Sequence, residues 1–406
     1  MITDKPKKMP KGMKHNAAAV SSTEPELGGD LIREILIKLP VKSLLRFKQV
    51  SKTWLHMITS NSFISSHYSV VQNRQSAPSY FIVRYAISGD QIVSFITQIS
   101  METSTIRIDQ DMHLQFLLEI CEEMCPSPQL FSAGFGLYCI FDWITQRVAL
   151  WNPGTRKLEV MPPFHDRIHP EYKPAFFFGH VEYEDNEFSY KVGIFSIRSH
   201  NSVGAHRLHL YSSSSNSWKV ILTPEESVVR RWMCHGVNLN GKYHILSMEE
   251  EEYDYHIMTF DYSSEVFGRI EVPDLPQTNG RRNLMYKSFL TVDDDTLLCL
   301  VITWKNEEAD HEEFLDLWVM REYGAKESWS KEFTVGPTDN YMRVAGYSES
   351  ARGFLLQDVR NELYLYNCVS FGVERIPLHV ALDYGLNLRL CECTTQSLVP
   401  IKGTQT

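Results

Sequence analysis

Apolar residues recur along this chain in two rhythms, and the rhythm changes near Pro78. From Leu27 to Ile58 they return every third or fourth position. Leu31, Ile35 and Leu39 make one stripe and Ile32 and Leu36 its neighbour, the spacing of a buried helix face. Pro40 bars Leu39 from helical geometry and ends the first helix. Asp30 is placed to cap that helix, with Glu34 in the first turn where the macrodipole favours it. Ser43 is placed to cap a second helix carrying Leu44, Leu45 and Phe47, and Ser51 a third carrying Trp54, Leu55 and Ile58. The pattern predicts a three-helix head over 27–70, after a disordered basic tail over 1–26 and before a linker over 71–79.

From 80 to 402 the rhythm is that of short strands broken by polar turns. The segments 147–163, 207–224, 256–273, 316–337 and 362–378 each hold a strand, an aromatic landmark, a polar turn and a further strand. The landmarks Trp151, Tyr211, Phe260, Trp318 and Tyr366 recur at roughly fifty residues, a period that belongs to propeller blades of the kelch-like kind. Each unit has two earlier strands. One such pair is joined by Asn240-Gly241, the strongest short hairpin signal. The first unit holds only three strands, within Tyr80–Asp109, and its missing strand is expected from Thr395–Ile401, closing the ring. The expected architecture is α+β and multidomain, a small helical head followed by an all-β, six-bladed propeller. A large sandwich is the competing arrangement.

Three short helices cannot bury this much apolar surface among themselves, since domains near forty residues usually need a staple, a metal or a partner. No cysteine precedes Cys121. Either the helices cap the β body, or their stripes dock a partner.

The order of these residues makes the second choice concrete. The run Leu31-Ile32…Ile35-Leu36…Leu39-Pro40-Val41-Lys42-Ser43-Leu44-Leu45-Arg46-Phe47…Val50-Ser51-Lys52…Trp54…Ile58 resembles an F-box of the plant type. The strings LWNPGTRKLEVMPP and LWVMREYGAKESW are similar to those of the plant F-box-associated domain, a group that includes the S-locus F-box proteins of pollen. The resemblance implies that the head binds a Skp-family adaptor and, through it, a cullin scaffold. It also implies that the body captures a protein for ubiquitination and degradation, a pistil ribonuclease if the chain is of the S-locus type. The implied adaptor-binding residues are Leu27, Leu31, Ile35, Leu36, Leu39, Pro40, Val41, Leu44, Leu45, Val50, Trp54 and Ile58. One departure is plain: Leu27-Gly28-Gly29 stands where the family has Leu-Pro before the first helix.

Composition narrows the alternatives. The 406 residues are 43% apolar and 12% aromatic, ample for a core, and the formal charge of −10 argues against a nucleic-acid binder. No segment is long and apolar enough for a membrane span, and the eight cysteines are scattered through strand-like segments as reduced thiols would be, so a cytoplasmic or nuclear location is expected. Neither Cys121/Cys125 nor Cys391/Cys393 has a second ligand pair at zinc spacing. His165, His169 and His180 fall close in sequence in a Pro-rich loop and read as surface loop histidines rather than ligands. No catalytic fingerprint is present, so no metal, cofactor or catalytic residue is expected and the chain reads as a non-catalytic receptor. A propeller enzyme or binding module whose head is only a cap is the rival reading.

A target is expected on the propeller face that carries the longer loops. Glu249, Glu250, Glu251 and Glu252 lie in one of them and Glu307, Glu308, Asp310, Glu312 and Glu313 in the equivalent loop of the next unit. Such an arc steers a basic target or serves only solubility. Arg230, Arg231 and Trp232, beside it, are of the types that anchor interfaces.

Overall fold

The computed structural model describes residues 28–72, 79–88, 91–102, 105–112, 129–141, 146–163, 172–198, 207–223, 236–248, 255–274, 284–292, 297–306, 312–338, 343–348, 353–358, 362–370, 372–376, 390–393 and 396–401. A helical head leads into an all-β propeller.

The head has four helices rather than three: α1 (Gly29–Leu36), α2 (Val41–Phe47), α3 (Lys52–Thr59) and α4 (Asn61–Gln72). The fourth hides in NSFISSHYSVVQ, whose serines are poor helix formers. Packing overrides propensity, because Phe63, Ile64, His67 and Tyr68 form one buried stripe. The Ser60 hydroxyl accepts from the Phe63 N–H at 3.3 Å and so caps the new helix. Ser51 caps α3 as the sequence predicts, accepting from the Trp54 N–H at 3.1 Å. The other two expected caps move. Gly28 precedes α1, leaving Asp30 in its first turn, and Pro40 precedes α2, leaving Ser43 inside it. Proline suits a helix start because its fixed φ is ready for the turn and its absent N–H would go unpaired there.

The strands fall into six four-stranded antiparallel sheets. Sheet 1 begins with β1 (Ser79–Ser88), β2 (Gln91–Glu102) and β3 (Thr105–Met112). Sheet 2 is β4 (Gln129–Gly134), β5 (Leu137–Phe141), β6 (Val148–Asn152) and β7 (Lys157–Val160). Sheet 3 is β8 (Tyr172–Glu184), β9 (Glu187–Arg198), β10 (Arg207–Ser212) and β11 (Ser217–Leu222). Sheet 4 is β12 (Val237–Leu239), β13 (Lys242–Met248), β14 (Tyr255–Asp261) and β15 (Phe267–Glu271). Sheet 5 is β16 (Leu284–Val292), β17 (Leu297–Asn306), β18 (Glu312–Met320) and β19 (Trp329–Thr338). Sheet 6 is β20 (Arg343–Ser348), β21 (Gly353–Gln357), β22 (Leu363–Asn367) and β23 (Val373–Ile376). The strand that completes sheet 1 is β24 (Leu390–Cys393), antiparallel to β1 with Ser79 opposite Cys393. A C-terminal strand does close the first unit, but not Thr395–Ile401: within that stretch the described residues 396–401 are in no strand and pack elsewhere.

Turn chemistry sets the register. Asn240-Gly241 joins β12 to β13 with φ of 50° and 69°, and Asp185-Asn186 joins β8 to β9 with 49° and 62°. Two left-handed residues in a row twist a hairpin the way its strands twist. The middle strands β5, β6, β14 and β21 are buried along nearly their whole length, as strands covered on both faces must be. Three apolar clusters result. One spans sheets 3 to 5, and a second joins sheets 5 and 6. The third joins Leu36, Ile37, Val41, Leu44, Ile58, Phe63 and Ile64 of the head to sheets 2 and 3 and to Leu398, Val399 and Ile401.

Candidate functional site

Within the head, side chains on one helix hold the next. Phe47 and Trp54 meet edge to face at 5.5 Å, tying α2 to α3. Arg33 donates to the Ser66 hydroxyl at 3.2 Å and lies over the Phe63 ring, tying α1 to α4. His67, fully buried, bonds through Nε2 to the Leu39 carbonyl at 2.8 Å, which satisfies the chain where Pro40 breaks it.

The implied adaptor-binding residues separate into two sets. Leu36, Val41, Leu44 and Ile58 are buried and hold the head together, and Leu39, Leu45 and Trp54 are half-buried against the same cluster. Leu31, Ile35 and Val50 are 52%, 53% and 60% exposed, and Pro40 is exposed as well. Leu31 and Ile35, four residues apart, lie on the same outward face of α1, and Leu55 adds a further exposed leucine from α3. Leu27 lies outside the described residues.

The head meets the body through α4 and the end of α2. Tyr68 stacks on Phe135 with ring centroids 4.8 Å apart, and Asn61 donates to the Asn186 carbonyl at 2.8 Å. Phe135 and Asn186 occupy the turns between the first and second strands of sheets 2 and 3. Burial, and then the nearby Lys157 ammonium, lowers the pKa of Lys48 at the end of α2. Lys157 begins the outer strand of sheet 2. In a four-stranded meander the first-to-second and third-to-fourth turns share one face, and the second-to-third loops lie on the other. The head therefore sits on the first of these faces.

Sequence reasoning did not single out Tyr68, Phe135, Asn61 or Asn186. The available signal was Gly134-Phe135-Gly136, where an aromatic stands between two glycines. Phe135 has φ 50°, flanked by Gly134 at 86° and Gly136 at 69°. A bulky residue in that region needs a reason, and its stack on Tyr68 is one.

Arg230, Arg231, Trp232, Glu249, Glu250, Glu251, Glu307 and Glu308 lie outside the described residues, as do His165 and His169. Glu313, at the start of β18, is described and is buried. Among the described residues no group of three or more His, Cys, Asp or Glu is arranged to hold a metal ion, and no helix is long and apolar enough to cross a membrane. Burial pushes the Cys139 thiol up, away from the reactive thiolate. His180 is no surface loop histidine: it lies on β8, stacked on Tyr262, because the apolar run before it forms a strand, and burial pulls both it and His244 down to about 4.

Comparison with known proteins agrees with the two-part organisation. The F-box domain model matches residues 26–66, and the model of the F-box associated beta propeller domain matches residues 129–374, more than half of the chain. The chain is similar to F-box protein At3g08750 of Arabidopsis thaliana, 26% identical over 61% of this chain and 60% of that protein. It thus spans less than two thirds of that relative's length. F-box/kelch-repeat protein At3g23880 of the same plant is 26% identical over 84% of this chain and 87% of its own. F-box protein CPR1, also of Arabidopsis thaliana, is 24% identical over 81% and 78%. With a helical head that matches the F-box and an all-β body that matches its associated domain, this chain belongs to the family of F-box proteins with an F-box associated beta propeller domain.

Proposed function

We propose that the protein is a substrate receptor of an SCF-type ubiquitin ligase. In this reading the head docks on a Skp-family adaptor, the adaptor joins it to a cullin scaffold, and the propeller captures a protein for ubiquitination and proteasomal degradation. The six sheets are read as six blades of one closed ring. The chain itself contributes proximity and orientation, while the bond-forming chemistry belongs to its partners. The observation that carries this reading is the division of the head. Its inward residues are consumed by a common core with the body, yet Leu31, Ile35 and Val50 remain outside it. Fully burying an aliphatic side chain is worth about 1.5–3 kcal/mol, so a partner that covers these three gains several kcal/mol.

The face opposite the head carries the second-to-third-strand loops, and there we place the target. The chemistry proposed for it is basic, from the acidic residues Glu249, Glu250, Glu251, Glu307 and Glu308, with Arg230, Arg231 and Trp232 as anchors. Cytoplasm and nucleus are the proposed locations, because the ligase and the proteasome work there.

The decisive variant is Leu31→Asp with Ile35→Asp. Both side chains are more than half exposed, so the fold survives, while a charge on the docking stripe abolishes copurification with a Skp-family adaptor. Val220→Asp, on a body strand where Val220 is 50% exposed, is the control and leaves adaptor binding intact. Undiminished binding by the double variant removes the adaptor reading and leaves the rival, in which the head is a cap on a propeller with another task.

A further inference from the structure

The first and last strands meet in sheet 1, where, among the described residues, four residue pairs join β24 to β1 against ten between β1 and β2. A four-pair join is a weak seam for a ring that also carries the head, and β1 is the next element after the head's last helix. Beyond β24 the chain crosses to sheet 2. Residues Ser397, Leu398, Val399 and Ile401 are buried there, in the cluster that also holds the inward face of the head.

What receives them is the turn Asn152–Thr155, between β6 and β7. Asn152 is fully buried, and its amide nitrogen donates to two main-chain carbonyls of the C-terminal segment, Ser397 at 3.2 Å and Val399 at 2.9 Å. Its amide oxygen accepts from the Thr155 N–H at 3.1 Å, which fixes the direction of the whole group. Gly154 allows the approach, since a Cβ there would stand 2.8 Å from the Ser397 carbonyl oxygen. The Ser397 hydroxyl accepts from Val399 N–H at 3.2 Å, and Tyr190 donates its phenol to the Pro400 carbonyl at 3.5 Å.

The corresponding turns elsewhere show what is particular to Asn152. Asp261 in sheet 4 accepts from the Ser263 and Ser264 N–H groups, and Asn367 in sheet 6 accepts from those of Val369 and Ser370. Capping the turn therefore needs only an oxygen, and an aspartate suffices. Holding two carbonyls from outside needs the amide nitrogen that aspartate lacks.

We propose that residues 396–401 are a second latch across the seam of the ring, with the Asn152–Thr155 turn as its receptor. Together the latch and β24 hold the closing sheet, and with it the head, against sheet 2. The test is hydrogen exchange on the full-length protein, comparing wild type with Asn152→Asp and with a chain ending at Thr395. Asn152→Asp keeps the turn-capping oxygen but sets a carboxylate against two carbonyls. Amides of β1 and β24 are expected to exchange at least tenfold faster in both variants, with β13 and β14 unchanged. Wild-type rates at the seam in both variants overturn the latch. So does an equal rise in every sheet, which would mean a general loss of stability. If Asn152→Asp does not fold, the shortened chain decides alone, because it retains every residue of sheet 2. No adaptor enters this measurement, so its outcome is independent of the ligase reading.

Discussion

Gly28 stands where the family places proline, and its backbone explains why the substitution is tolerated. Its φ is −52°, within the range a proline ring imposes, with ψ at 140°. The helix start therefore has the geometry proline would enforce, but nothing presets it in the unfolded chain. A Cβ at this position meets nothing within 4 Å. Gly28→Pro is expected to stabilise the head by about 0.5–1 kcal/mol, acting through the unfolded state, and to tighten adaptor binding. Denaturant melts and a titration with adaptor measure the two effects. Phe135 presents the opposite balance. Left-handed backbone costs a non-glycine residue about 1–2 kcal/mol. Phe135 is only partly buried, so it recovers part of the about 1.5–3 kcal/mol that full burial gives, and each aromatic pair adds about 0.5–1.5 kcal/mol. With Tyr68 at 4.8 Å and Phe188 at 5.7 Å, the contacts win.

Among the strands, one device recurs that the sequence shows only as a scattered tryptophan. Trp218, near the start of β11, donates its indole N–H to the Pro162 carbonyl beyond β7 at 2.7 Å. Trp329, at the start of β19, donates to the Glu271 carbonyl at the end of β15 at 3.0 Å. In each case the outermost strand of one sheet is bolted to the exit of the preceding outermost strand. Trp218→Phe and Trp329→Phe retain most of the ring and lose the bond, and each should cost about 1–2 kcal/mol in an unfolding titration. Elements whose signal is local were legible in the sequence: the Asn240-Gly241 hairpin, the Ser51 cap, the break at Pro40. Those that depend on distant partners were not. The α4 helix is serine-rich and exists because Phe63, Ile64 and Tyr68 find a surface to bury. The closing strand was displaced because Leu390–Cys393 and Ser397–Ile401 are both short and apolar, and periodicity cannot say which one pairs with β1. The outward pair Leu31 and Ile35 could not be separated from the inward set either, since they share its helical rhythm, and Val50 lies in the turn between α2 and α3.

For the molecule as a whole, pH dependence follows from two histidines enclosed by the body. His180 stacks flat on Tyr262 at 4.0 Å, and burial, then the Lys191 ammonium, takes its imidazole down to about 4. The Glu182 carboxylate at 3.4 Å favours the charged form but does not outweigh them. His244, paired through Nε2 with the Tyr323 hydroxyl at 2.7 Å, is likewise brought to about 4, chiefly by burial. In the unfolded chain both take up a proton near pH 6.5. Between about 6.5 and 4 the unfolded state therefore binds more protons, and stability falls as pH drops through that window. Asp261 and Glu265, whose carboxyls lie below their ordinary values, add losses from the foot of that window downward. Urea midpoints should be level above pH 7 and decline from 6.5 toward 4. Replacing both histidines with glutamine should flatten that decline.

The apolar cluster shared by the helices, sheets 2 and 3 and the C-terminal segment bears on interchangeability. A family that joins one kind of head to many propellers is easily pictured as one standard plug fitted to many different sockets. Here the plug is finished by the socket: α4 is completed by Phe135 and Asn186, and Leu398 and Val399 fill the same core. Grafting residues 28–72 onto a relative's propeller transfers only half of a fitted joint. A working exchange would carry the 134–136 and 185–186 turns, the Asn152–Thr155 turn and the C-terminal segment along with the helices. A change in any one of these distant stretches is therefore felt by the others, through the core they share.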